Sequence, residues 1–101
     1  MSEKDVAGAL GLAQKAGKIS SGDLGVKDAL SGGKAKLLII AADAAPNTVK
    51  ELNYLAAKAS VPVISCMQRT ALGLCIGKAP RAAVAVLDEG LAGLIMKKWN
   101  M

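Results

Sequence analysis

Residues 37–42, Leu-Leu-Ile-Ile-Ala-Ala, are apolar without alternation. That is the pattern of a strand covered on both faces, as in the interior of an α/β sheet. Asp43 breaks the run at the strand's carboxyl end, and Pro46 keeps the strand from running on. Thr48, with Glu51 three residues later, fits a capping box, in which the hydroxyl accepts from a free helix N–H and the carboxylate reaches back to the cap residue's own N–H. Leu52, Leu55, Ala56 and Ala59 then recur at helical spacing, so one face of this helix lies back on the sheet.

The same two periods organise the rest of the chain. Asp5 opens a first helix with Val6, Leu10 and Ala13 on one face and Gly17 at its end. Residues 18–21 read as a short polar edge strand, after which Gly22-Asp23 leads into a second helix with Val26, Ala29 and Leu30 inward, closed by Gly32-Gly33. Val61-Pro62-Val63-Ile64-Ser65 is another strand, its proline near the start where a missing N–H costs least. Thr70 caps a short fourth helix that carries Leu72, Cys75 and Ile76 and ends at Gly77, and residues 78–81 form a loop. Ala82 to Leu87 reads as a second interior strand. Asp88 caps a last helix with Leu91, Leu94 and Ile95 on one face, where Lys97-Lys98 suits the negative end of the dipole. Helices and strands alternate from end to end, which predicts an α/β/α sandwich on a largely parallel or mixed sheet, in a single domain spanning residues 1–101.

Composition narrows the chemistry. Half of the residues are apolar, yet the only aromatics are Tyr54 and Trp99, so the core is built from Leu, Ile, Val and Ala. The amino terminus is charged and unlike a signal peptide, and no apolar run approaches the roughly 20 residues a membrane span needs. With no histidine in the chain, Cys66 and Cys75 have no partner for a zinc site, and no Ser-His or Cys-His pair can form. The two cysteines read as small buried hydrophobes in a reducing cytoplasm, and neither metal nor cofactor is expected. Capping explains Asp88 and Glu89 without any acid–base role. Asp43, at a strand end where ligands of α/β sheets sit, is the better catalytic candidate but lacks a partner residue. Gly73 to Lys78 has three residues between its glycines, not four, and Ala79 follows the lysine, so the stretch reads as a helix end and not as a phosphate-binding loop. No catalytic residue is assigned, and the chain does not read as an enzyme.

Charge adds a direction. Thirteen Lys and Arg face eight acids, a net of +5, which favours a polyanion partner. Lys15, Lys18, Lys27, Lys34 and Lys36 crowd residues 15–36 against Asp23 and Asp28, while Arg69, Lys78 and Arg81 share residues 69–81 with no acid. The near absence of aromatics argues against stacking of single-stranded bases. A folded RNA held by loops, lysines and helix amino termini fits better.

The order of features resembles a known family over the whole chain. It is carried by Leu10-Gly11-Leu12-Ala13-Gln14-Lys15-Ala16-Gly17-Lys18, Ser21-Gly22, Gly33-Lys34-Ala35-Lys36-Leu37, Asp43-Ala44-Ala45-Pro46-Asn47, Val61-Pro62-Val63, Leu72-Gly73, Ile76-Gly77-Lys78 and Ala85-Val86-Leu87-Asp88-Glu89-Gly90. In this order the motifs resemble those of YlxQ-type bacterial members of the ribosomal protein L-seven-Ae / L-thirty-e superfamily, whose better-known relatives bind kink-turn RNA. The resemblance implies a three-layer α/β/α sandwich with a four-stranded mixed sheet, no catalysis, and RNA binding at one end. The implied RNA surface comprises the start of the second helix, the loop after the central strand and the loops flanking the fourth helix. Where kink-turn binders typically carry Asn-Glu, this chain has Leu24-Gly25, and the family lysine that follows falls on Asp28, with Lys27 one residue early.

The expected RNA-binding residues are Lys18, Gly22, Asp23, Lys27, Lys36, Asp43, Arg69, Gly77, Lys78 and Arg81, with a basic edge running through Lys18, Lys27, Lys36, Arg69, Lys78 and Arg81. The expected function is that of a non-catalytic, ribosome-associated, cytoplasmic protein. It is read as a monomer that contacts structured RNA, and neither DNA nor membrane. The alternative is a protein-interaction or self-assembling module of the same fold that has lost kink-turn recognition.

Overall fold

The computed structural model describes residues 3–100, in which helices and strands alternate. Their order is α1 (Glu3–Lys15), β1 (Ile19–Ser21), α2 (Asp23–Ser31), β2 (Leu37–Ile40), α3 (Pro46–Lys58), β3 (Val63–Ser65), α4 (Arg69–Cys75), β4 (Ala83–Val86) and α5 (Glu89–Asn100). The strands form one mixed sheet in the order β1-β4-β2-β3, with β4 antiparallel to both neighbours and β3 parallel to β2. The two runs without alternation occupy the centre, and every residue of β2 and β4 is buried. The edges are the three-residue strands β1 and β3. Such short edges offer little ladder to another chain.

Alternation along the central strands builds the layers. Leu37, Ile39, Val84 and Val86 pack with Val6, Leu10, Leu72, Ile76 and Ile95 of α1, α4 and α5 and the residue after α4. Leu38, Ile40, Ala83 and Ala85 face the opposite way, onto Val26 and Leu30 of α2 and Leu52 and Ala56 of α3. The result is an α/β/α sandwich. Among the described residues no polar or charged residue is buried, so hydrophobic burial and close packing carry the core. Cys66 is buried, Cys75 is half-buried, and both thiols are free. Burial, aided by negative charge at Glu3 and Cys75, pushes the Cys66 thiol up to about 11, which keeps the reactive thiolate scarce at neutral pH. Among the described residues no helix is long and apolar enough to cross a membrane.

Several helix ends differ from the sequence reading. Within the described residues α1 runs from Glu3, ahead of Asp5. Pro46 does not only stop the strand; it starts α3, with Ala45 as cap residue, so Thr48 and Glu51 lie inside the helix and form no capping box. Proline suits that place because a first-turn N–H has no intrahelical partner and the ring already holds a helical φ. Thr70 likewise sits inside α4, which begins at Arg69 with no side-chain cap from Gln68. On α5, Ala92 and Ile95 point into the core while Leu94 is exposed. Asp88 does cap that helix, accepting from the Leu91 N–H at 2.9 Å. Gly17, Gly33 and Gly77 carry positive φ just past α1, α2 and α4.

Candidate nucleic-acid interface

Strand direction sorts the candidate residues between two ends of the sheet. Ser21 pairs with Val84, Ile40 with Ala83 and with Ser65, so β1, β2 and β3 finish at the end where β4 begins. The start of α2, the loop after β2, the loop after β3 and the chain entering β4 therefore meet there. Ile19 and Leu37 both pair with Val86 and define the opposite end. Lys18 and Lys36 belong to that opposite end, since the Lys18 carbonyl accepts from the Leu87 N–H at 2.8 Å and the Lys36 N–H donates to the Val86 carbonyl at 2.7 Å. A single basic edge through all six predicted cations is thus not what the fold builds. Gly22, Asp23, Lys27, Asp43, Arg69 and Arg81 gather at the first end, and Gly77 and Lys78 lie a turn away, where the Lys78 N–H donates to the Gly73 carbonyl at 2.9 Å.

At the first end the sharp turn from β1 into α2 is made at Gly22, with φ +84° and ψ 158°. A side chain there would be strained, because that backbone region is open essentially to glycine alone. Gly22 supplies no capping side chain, and a cleft of about 110 Å³ opens beside it, lined by Gly22, Asp23, Val26, Thr48, Leu52, Ala82 and Ala83. Leu24 follows in the first turn of α2 and is 72% exposed. Gly25 turns inward, where its carbonyl accepts from Ser20 Oγ at 3.3 Å.

Asp43 finds its partner one loop away. Its Oδ1 accepts from the Arg69 backbone N–H at 2.7 Å, and its Oδ2 lies 3.4 Å from Arg69 Nε. Asp43 therefore does for α4 what Thr70 was expected to do, and from a different loop. Partial burial pushes the Asp43 carboxyl up, but the Arg69 backbone N–H and guanidinium more than offset this and hold it below its ordinary value. A carboxyl depressed on folding adds stability above its unfolded pKa of about 3.9 and loses it as the pH falls through the lower folded value. The melting temperature of the parent protein should accordingly exceed that of Asp43→Asn at pH 7, with the gap narrowing as the pH falls below about 4. An identical gap at pH 7 and pH 3 would remove this role from Asp43.

Two further predicted cations at this end, Lys27 and Arg81, are also engaged. Lys27 Nζ lies 2.6 Å from Glu51 Oε1 and 3.2 Å from Asp23 Oδ2, which together raise its pKa, Glu51 most. Glu51, expected to cap α3, instead ties α3 to α2. Arg81 donates from Nε to Ser21 Oγ at 3.3 Å and from Nη1 to the carbonyls of Ala79 and Pro80 at 3.2 and 3.4 Å, while its backbone N–H reaches the Arg69 carbonyl at 3.1 Å. Its guanidinium holds the loop to the start of α2. The sequence reading missed Glu3, whose Oε2 accepts from the Met67 N–H at 3.0 Å, and Met67, a buried residue at φ +69° whose carbonyl accepts from the Ala42 N–H at 2.7 Å. A left-handed methionine leaves no mark in composition or periodicity.

Comparison with known proteins agrees with this architecture. Residues 4–95 match the model of the ribosomal protein L7Ae/L30e/S12e/Gadd45 family. The chain belongs to this family. One L7Ae-family relative is the RNA-binding protein YlxQ of Bacillus subtilis (strain 168), 39% identical over 88 residues that cover 86% of this chain and 87% of that protein. Another is the large ribosomal subunit protein eL8 of Picrophilus torridus, 34% identical over 77 residues, covering 75% of this chain and 61% of that protein. Among solved structures, a protein of unknown function from Bacillus halodurans C superposes with a TM-score of 0.91 at 29% identity, covering 95% of this chain and 97% of that one.

Proposed function

We propose that this L7Ae-family chain is a non-catalytic, cytoplasmic RNA-binding protein that associates with the ribosome, contacting structured RNA at the end of the sheet where Gly22, Asp43, Arg69 and Arg81 meet. One observation carries the reading. The start of α2 and the loops after β2 and β3 converge there and are tied to one another, through Asp43 and Arg69, Lys27 and Glu51, and Arg81 and Ser21. A preorganised set of loops binds without the cost of ordering them first. The names of the relatives, an RNA-binding protein and a ribosomal subunit protein, support the same class of partner. Arg69, half-exposed and meeting the Asp43 carboxylate through Nε alone of its guanidinium, and Lys78, exposed, are the predicted cations that can still meet phosphate oxygens, with the Gly22 turn bringing the helix amino terminus close.

Fluorescence anisotropy of a labelled kink-turn RNA, against a control whose sheared pairs are replaced by Watson–Crick pairs and at two salt concentrations, tests this reading. The parent protein should prefer the kink-turn RNA, and Arg69→Ala with Lys78→Ala should weaken binding and flatten its salt dependence by about one unit for each phosphate no longer neutralised. Equal binding to both RNAs removes kink-turn specificity, and binding to neither overturns the proposal. The second reading, a protein-interaction module, draws on Leu24, an exposed apolar side chain where kink-turn binders carry a polar reader. A homogeneous oligomer in light scattering, together with indifference to RNA, would favour it.

A further inference from the structure

We infer that the opposite end of the sheet is a second RNA-contacting surface, separate from the first and made by Lys15, Lys18, Lys34 and Lys36; this rests on the RNA-binding reading of the chain. The fold brings these lysines together from two segments, the connection from α1 to β1 and that from α2 to β2. Lys15 closes α1, and three residues later the Lys18 N–H folds back onto the Ala13 carbonyl at 2.9 Å. Lys34 follows the end of α2, with its N–H on the Ala29 carbonyl at 3.0 Å. Lys18 and Lys36 flank the end of β4 on either side, through Leu87 and Val86, which sets their backbones two strand spacings, about 10 Å, apart. All four are exposed, and among the described residues none of them makes an ion pair.

Their state contrasts with that of the cations at the first end, where Lys27 and Arg69 are held by carboxylates. The acids at the lysine end are Asp88 and Glu89, with Asp28 a turn back along α2; Asp88 is already engaged as the cap of α5, and Lys58 at the end of α3 adds a further cation. The surface therefore carries a basic surplus with free ammonium groups. Of the large apolar side chains that are exposed, Leu24, Tyr54, Leu74 and Leu94 lie outside its turns, and Leu12, in the last turn of α1, lines a groove with Leu94 of α5. A protein partner needs buried apolar or aromatic anchors at the centre of its interface, whereas a phosphate backbone needs only well-placed cations. An RNA backbone is the occupant that fits. Such a surface adds affinity without sequence preference, and it lets one protein hold two RNA segments some 25 Å apart, the width of the molecule.

The test compares the parent protein with a variant carrying Lys15→Gln, Lys18→Gln, Lys34→Gln and Lys36→Gln, using the kink-turn RNA, its Watson–Crick control and a short RNA duplex in anisotropy titrations across salt. Thermal melting of the variant should stay within a few degrees of the parent, as for exposed positions without partners. For every RNA, the slope of log K against log salt should fall by about two to four units and low-salt affinity by at least about tenfold, while the preference for the kink-turn RNA is kept. Arg69→Ala with Lys78→Ala should flatten the slope by no more than about two units, one for each phosphate no longer neutralised, and leave the contribution of the four lysines in place. An unchanged slope in the four-lysine variant overturns the second surface and leaves the first-end reading standing. Loss of the preference in that variant overturns the separation of the two surfaces. No RNA binding by the parent protein overturns both.

Discussion

Gly73→Ala is expected to destabilise the protein by about 3 kcal/mol, lowering its melting temperature by roughly 15 °C for a domain of this size. Gly73 lies in α4 beneath the loop that leads into β4. A methyl group there would sit 2.1 Å from the Ala79 carbonyl oxygen, 2.7 Å from its carbon and 3.0 Å from the Lys78 oxygen. All three are backbone atoms, so no side chain can swing aside. In open solvent the same change would favour the helix by about 1 kcal/mol, because alanine is the better helix former, but the clash outweighs that gain. The loop must lift away, and the Arg81 N–H bond to Arg69 and the Lys78 N–H bond to Gly73 lift with it. Urea unfolding with circular dichroism reads the loss, and a melting temperature within two degrees or so of the parent would show that residues 78–79 do not press on the helix as described.

Leu38→Ala should cost about 2–5 kcal/mol, the usual range for emptying a fully buried leucine site. Leu38 is wholly inaccessible, sits on the face of β2 turned to α2 and α3, and is flanked by Ala85 and Val63 on the neighbouring strands. Alanine neighbours cannot expand to fill the space, so most of the cavity should persist. Leu24→Ala is the internal control: with its side chain 72% exposed, it should stay within about 0.5 kcal/mol of the parent. A cost below about 1 kcal/mol for Leu38→Ala would mean that the layer collapses around the gap more freely than its close packing suggests.

The parts of the fold that rest on burial were legible in the sequence. Residues 37–42 and 82–87 announce the two central strands, because only a strand covered on both faces lacks polar alternation. The inward faces of α1, α2 and α3 follow from their 3.6-residue period. Helix starts were less legible, since a cap can come from anywhere in space. Thr48 and Thr70 offered local hydroxyls at plausible spacings, yet Pro46 opens α3 and Asp43 caps α4 from 26 residues away. For the site, the resemblance to the family pointed to the start of α2 and the loops around α4, and the fold does bring those segments together. What sequence position could not give was the end of the sheet each lysine reaches. Lys18 and Lys36 are near Gly22 and Asp43 in the chain, but each lies one strand length away on the far side.

The hydrogen bonds at the first end form a relay through the backbone. The Asp43 carboxylate holds the Arg69 amide, the Arg69 carbonyl holds the Arg81 amide, and the Arg81 guanidinium holds Ser21. Those residues follow β2, open α4, precede β4 and end β1. The four segments are thus braced like stones around one opening, and a load placed on any of them is shared by the sheet beneath.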